Sequence, residues 1–167
     1  MKNIFCSLLI SCLLAVLAGC AVYTENPDGS QTFYTLSGDE FIGTGGMDVM
    51  RGGGITGQGR LKMKNGDVFE GTVVNGKPHG NGAIRRKSGD LYKGGFYEGT
   101  YQGKGRLVSI DGTDYTGSFL SGVKHGRGRE SYKDQSGVFD VVYEQGKLIK
   151  GDILIERDST TRRILEK

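Results

Sequence analysis

The sequence predicts an all-β protein: an elongated, single-layer antiparallel β-meander of tandem 23-residue hairpins, preceded by a signal-peptide helix. Three observations carry that expectation. The triplets Gly57-Gln58-Gly59, Gly80-Asn81-Gly82, Gly103-Lys104-Gly105 and Gly126-Arg127-Gly128 recur every 23 residues. The aromatics Phe69, Tyr92 and Tyr115 keep the same interval, and Phe139 follows after a one-residue insertion. Apolar and polar residues alternate between these landmarks, as in Phe69-Glu70-Gly71-Thr72-Val73, the period-two signature of a strand with one buried face. A unit this short cannot bury its apolar face alone and must stack against its neighbours.

The N-terminus reads as an address. Lys2 precedes an uncharged run from Ile4 to Ala18, which is short for a helix crossing a hydrocarbon core of about 30 Å. The run ends in Leu17-Ala18-Gly19-Cys20, which resembles the lipobox of bacterial lipoproteins. The resemblance implies cleavage before Cys20, lipidation of its thiol and stable anchoring by two or three acyl chains. An ordinary signal peptide with a chance Cys, or an uncleaved anchor helix, is the alternative. Cys6 and Cys12 lie in the segment that would be discarded, so the mature chain would hold no disulfide. The residue after the Cys is Ala21 rather than Asp, which implies an outer-membrane location facing the periplasm if the host is Gram-negative.

Residues 1–19 are therefore expected as signal peptide and 20–40 as lipidated Cys and spacer. The spacer contains Pro27-Asp28-Gly29, a turn signal, and at most one weak hairpin. Residues 41–146 are expected as the repeat sheet, its first unit degenerate, and 147–167 as a cap over the open edge. Within a unit, Val68 to Val73 forms strand one and Asn75-Gly76 turns the chain. His79 to Ile84 forms strand two, and Ser88-Gly89-Asp90 leads to the next unit. Tyr92-Lys93-Gly94-Gly95-Phe96 and Tyr115-Thr116-Gly117-Ser118-Phe119 repeat strand one. Leu61, Ile84 and Leu107 share one place in strand two, where the last unit has Glu130. The glycines are expected to leave gaps across which the neighbouring rings lie.

The net charge of +3 excludes little, but its distribution is uneven. Residues 57–151 hold 16 basic and 10 acidic residues, against one and five in residues 21–56. A basic repeat block favours anionic lipid headgroups, acidic glycans or an acidic partner; a solvated surface of mixed charge is the plainer account. His79 and His125 stand two units apart, about two spacings of 9–10 Å, with no third ligand at their height, so no metal site is expected. The Gly-x-Gly pairs precede no helix and no Lys-Ser/Thr, unlike a phosphate loop. No nucleophile-base or paired-carboxylate arrangement stands out, so neither catalytic residues nor a cofactor are expected, and nothing indicates nucleic acid. Phe69, Tyr92, Tyr115 and Phe139 are open to two readings: the core, or the lining of a shallow groove flanked by Lys104, Lys124 and Arg127.

Tyr92-Lys93-Gly94-Gly95-Phe96 with Gly103-x-Gly105, and Tyr115-Thr116-Gly117-Ser118-Phe119 with His125-Gly126-Arg127-Gly128, resemble MORN repeats (membrane occupation and recognition nexus). Phe69-x-Gly71-x-Val73-x-x-Gly76-x-x-His79-Gly80-x-Gly82 fits with Phe for Tyr and Val for Phe. Gln102 stands where other copies have His, and Val141 where Gly is expected. The resemblance implies an elongated, twisted one-layer sheet that serves as scaffold, dimerisation module or membrane-proximal docking surface. The expectation is a non-catalytic, lipid-anchored scaffold on a bacterial envelope, docking a protein partner or another copy. The alternative is a module for anionic phospholipid headgroups or cell-wall polymer.

Overall fold

A computed structural model of the chain describes residues 22–35, 38–48, 54–133, 135–154 and 164–165. The expected signal peptide, Cys20 and residues 155–163 and 166–167 of the expected cap lie outside the described residues. The described residues form thirteen strands and no helix. They divide into a unit up to Lys77 and a unit from Pro78 onward, and each is an antiparallel meander of the predicted class.

The first unit holds β1 (Val22–Glu25), β2 (Gln31–Tyr34), β3 (Glu40–Asp48), β4 (Gly54–Lys62) and β5 (Val68–Val74), each paired with the next. Within the expected spacer, which allowed one weak hairpin, β1 and β2 form a hairpin, and β2 pairs onward with β3. Thr32 and Phe33 are buried there, and Phe33 packs 6.2 Å from the Phe41 ring. Phe41, Ile55, Leu61, Phe69 and Val73 complete one buried face. Gly43 faces Gly59 across β3 and β4, and a Cβ on Gly59 would stand 2.7 Å from the Gly43 Cα.

The second unit holds β6 (Lys77–Arg85), β7 (Leu91–Tyr97), β8 (Thr100–Val108), β9 (Asp114–Leu120), β10 (Val123–Tyr132), β11 (Gln135–Glu144), β12 (Lys147–Leu154) and β13 (Ile164–Leu165). Each pairs with its successor. The buried face is a ring ladder. Tyr92 stacks on Tyr101 at 3.8 Å and meets Phe96 and Phe119 edge-on. Tyr115 meets Phe119 and Tyr143 edge-on.

In Gly103-Lys104-Gly105 and Gly126-Arg127-Gly128 the two glycines do different work. The second makes room for a ring: a Cβ on Gly105 would stand 2.6 Å from the Tyr92 ring, and one on Gly128 would run into Cε2 and Cζ of Tyr115. The first shapes the backbone. Gly103 and Gly126 take φ of +75° and +72°, a left-handed conformation that suits glycine. There three residues of β8, Gln102 to Lys104, oppose Gly95 alone, and three of β10, His125 to Arg127, oppose Ser118 alone. The bulge frees a carbonyl that the tyrosine reaches: Tyr92 OH donates to Gly95 O at 3.0 Å, and Tyr115 OH to Ser118 O at 3.1 Å.

β12 lacks the left-handed glycine, and its irregularity is one residue shorter, with Ile149 and Lys150 opposing Val142. That loss cancels the insertion before Phe139. Gly151 therefore keeps the 23-residue phase of Gly105 and Gly128. It also accommodates Val141, the residue standing where Gly is expected, whose Cγ1 lies 3.7 Å from the place of a Gly151 Cβ.

Candidate functional site

The sheet of the second unit has a ring face and an outer face, and the candidate residues divide between them. Phe69 in the first unit and Tyr92, Tyr115 and Phe139 in the second are 0–5% exposed. They are core residues and do not line an open groove. Their burial follows from thinness: with one layer, the rings are the apolar surface available to cover the sheet.

Lys124 lies on the ring face, not beside Lys104 and Arg127. Its ammonium sits 4.7 Å above the Tyr115 ring and 5.0 Å above the Tyr143 ring, in an ion pair with Glu130 Oε1. The other Glu130 oxygen accepts from Tyr132 OH at 2.8 Å and Tyr143 OH at 2.7 Å. Glu130 is 1% exposed, yet its carboxylate is fully satisfied. Burial, and then the hydrogen bond to Glu130, push the Tyr132 phenol up to about 12 and raise Tyr143 further. Sequence reasoning registered Glu130 only as a break in the aliphatic row. The signal that completes the network is a Lys six residues before it, a Tyr two after it and a second Tyr thirteen after it.

Lys104 and Arg127 point to the outer face, where they join Lys93, Arg106 and Arg129 around a shallow depression of about 690 Å³. Its floor is the backbone of Gly105, Gly117 and Gly128, and Thr116 and Asp140 line it further. Strand register aligns the side chains in rows: Lys93, Arg106, Thr116, Arg129 and Asp140 pair successively across β7 to β11. Arg106 is clamped by both oxygens of Asp114, and Arg129 lies 3.7 Å from Asp140. Lys104 donates to Ser118 Oγ at 2.9 Å. Among the described residues, Lys93 and Arg127 have no carboxylate partner. The depression is thus strongly cationic, with two of its five positive groups neutralised.

The middle residue of each glycine triplet explains the row containing Lys104. Asn81, Lys104 and Arg127 are exposed on β6, β8 and β10, and Lys150 holds the equivalent place on β12. The histidines are accounted for locally: His79 packs 5.3 Å from the Tyr97 ring, and His125 Nδ1 accepts the Gln145 N–H at 3.3 Å. Among the described residues no group of three metal-ligating side chains occurs. Cys20, the expected lipidation site, lies outside the described residues.

Residues 69–91, 92–114 and 115–137 each match the MORN repeat, in three tandem copies. No curated protein matches the sequence. Among solved structures, the TCP domain of SAS-4 (dCPAP) from Drosophila melanogaster, determined in complex with a proline-rich motif of Ana2 (dSTIL), is similar. It shares 13% identity over 88% of this chain and 90% of that one, with a TM-score of 0.41.

Proposed function

We propose that the chain is a non-catalytic repeat scaffold, tethered to a bacterial envelope membrane through lipid on Cys20, that docks a protein partner or another copy on the outer face of its second unit. If the host is Gram-negative, the tether places it on the outer membrane facing the periplasm. The observation that carries the docking surface is the separation of roles: the rings are consumed by the core, while the cations Lys93, Lys104 and Arg127 stand uncommitted to carboxylates on the opposite face. The lipid tether rests on Leu17-Ala18-Gly19-Cys20.

A photo-crosslinking residue at Thr116, in the middle of the outer face, tests the proposal in intact envelopes. The expected result is a discrete adduct that is lost in Lys104→Glu/Arg127→Glu. Absence of any adduct, or one indifferent to that charge reversal, overturns it. Cys20→Ser is expected to release the chain from the membrane fraction, and retention there would overturn the tether. A second reading, a module for anionic phospholipid headgroups or cell-wall polymer, is favoured by the charge of the same face.

A further inference from the structure

We infer that the outer face of β8 to β12 binds an extended anionic polysaccharide carrying one carboxylate per disaccharide, laid across the strands along Lys104, Arg127 and Lys150. The inference rests on the anion-docking reading above and adds the chemistry of the ligand. Three observations support it.

The first is spacing. Lys104, Arg127 and Lys150 recur every 23 residues and occupy every second strand, so successive cations stand about 9–10 Å apart. That interval matches the length of one extended disaccharide. Arg106 and Arg129 form a parallel rail at the same interval, each paired by register with Thr116 between them. An extended acidic peptide presents side chains on one face every 6.6–6.8 Å or so, and falls out of step after the first contact. A fluid headgroup surface has no preferred spacing at all.

The second is shape. The depression is open and shallow, and its floor is the strand backbone at Gly105, Gly117 and Gly128 between the two rails of side chains. The third is the chemistry between the cations. Ser118 lies between Lys104 and Arg127 and Thr116 between Arg106 and Arg129, where they offer hydroxyls to sugar hydroxyls; Val142 and Asp140 take the next places along the rails. Lys104 holds only a serine hydroxyl, which a carboxylate replaces favourably because a charge-assisted hydrogen bond is the stronger one.

The test uses the full chain in detergent and hyaluronan oligosaccharides, which carry one carboxylate per disaccharide. Comparison probes are polyglutamate with the same number of carboxylates, the oligosaccharide with its carboxylates amidated, and phosphatidylglycerol vesicles. The expected result is binding at low salt that is about tenfold or more tighter than to polyglutamate, and absent for the amidated glycan. Lys104→Glu/Arg127→Glu should weaken it by more than about tenfold, whereas Lys64→Glu/Lys133→Glu, the same charge change away from the depression, should leave it unchanged. If the charge reversal unfolds the chain, Lys104→Gln/Arg127→Gln gives the same comparison with milder side chains. Equal affinity for polyglutamate, binding to vesicles alone, or no binding overturns the inference. If the glycan fails while the Thr116 crosslink persists and depends on Lys104 and Arg127, the docking reading survives and the glycan does not.

Discussion

Glu130→Leu restores the residue type that Leu61 and Leu107 supply at the equivalent place, and it is nonetheless expected to destabilise the fold by about 3 kcal/mol. The carboxylate is 1% exposed and accepts from Lys124, Tyr132 and Tyr143. Removing one partner of a buried ion pair costs about 3–5 kcal/mol, and each phenol stranded without an acceptor adds about 1–3 kcal/mol. Two effects offset this. Leucine burial returns about 1.5–3 kcal/mol, and the Lys124 side chain, 19% exposed, can slide its ammonium toward water. With an m-value of about 2 kcal/mol/M, the net loss moves the urea midpoint down by roughly 1.5 M. Lys124→Met/Glu130→Leu removes both charges and should recover at least about 1 kcal/mol of it. A leucine variant as stable as the parent would refute the reasoning, as would a double variant no better than the single.

Three further outcomes follow from the same geometry. Gly105→Val drives a side chain into the Tyr92 ring and should cost about 1–3 kcal/mol in chemical denaturation; an unchanged midpoint contradicts the ring-over-glycine packing. Glu98 holds a φ of +47° in the turn before β8, where Asn is the more tolerant residue, so Glu98→Asn should raise stability by about 0.5 kcal/mol, read as a higher melting temperature. Tyr92 and Tyr132 are both pushed up to about 12 from an ordinary 10.0, Tyr92 chiefly by burial and Tyr132 by burial and Glu130. Because the folded values lie above the unfolded ones, their contribution to stability is intact below pH 10 and declines as pH rises through 12. Urea midpoints from pH 9 to 12 together with phenolate absorbance check this, and a flat profile would contradict it.

Much of the fold was legible because glycine and tyrosine leave unmistakable marks at fixed intervals. The alternation in Phe69 to Val73 and the triplets at Gly57, Gly80, Gly103 and Gly126 identify strands, turns and their order before any coordinates. What escaped was a row whose residue type changes from unit to unit. Tyr101 stacks on Tyr92 at a place that recurs every 23 residues as Ile55, Pro78 and Lys124, and with no shared residue type that row goes unmarked. Lys124 and Arg127 look alike in sequence, but strand alternation puts residues three apart on opposite faces, and the bulge at Gly126, three residues against one, keeps that alternation. β1 and β2 were legible only as one weak hairpin. They carry neither the triplet nor the period, yet Phe33 still finds Phe41 to pack against.

In each Gly-x-Gly, structure is written by the outer letters and the middle one is left blank. The sequence fills that blank with Gln58, Asn81, Lys104 and Arg127, all exposed. Exchanges at such solvent positions shift stability by no more than about 0.5 kcal/mol. A lineage, or an engineer, can therefore respell the whole line one hairpin at a time without retuning the scaffold that displays it.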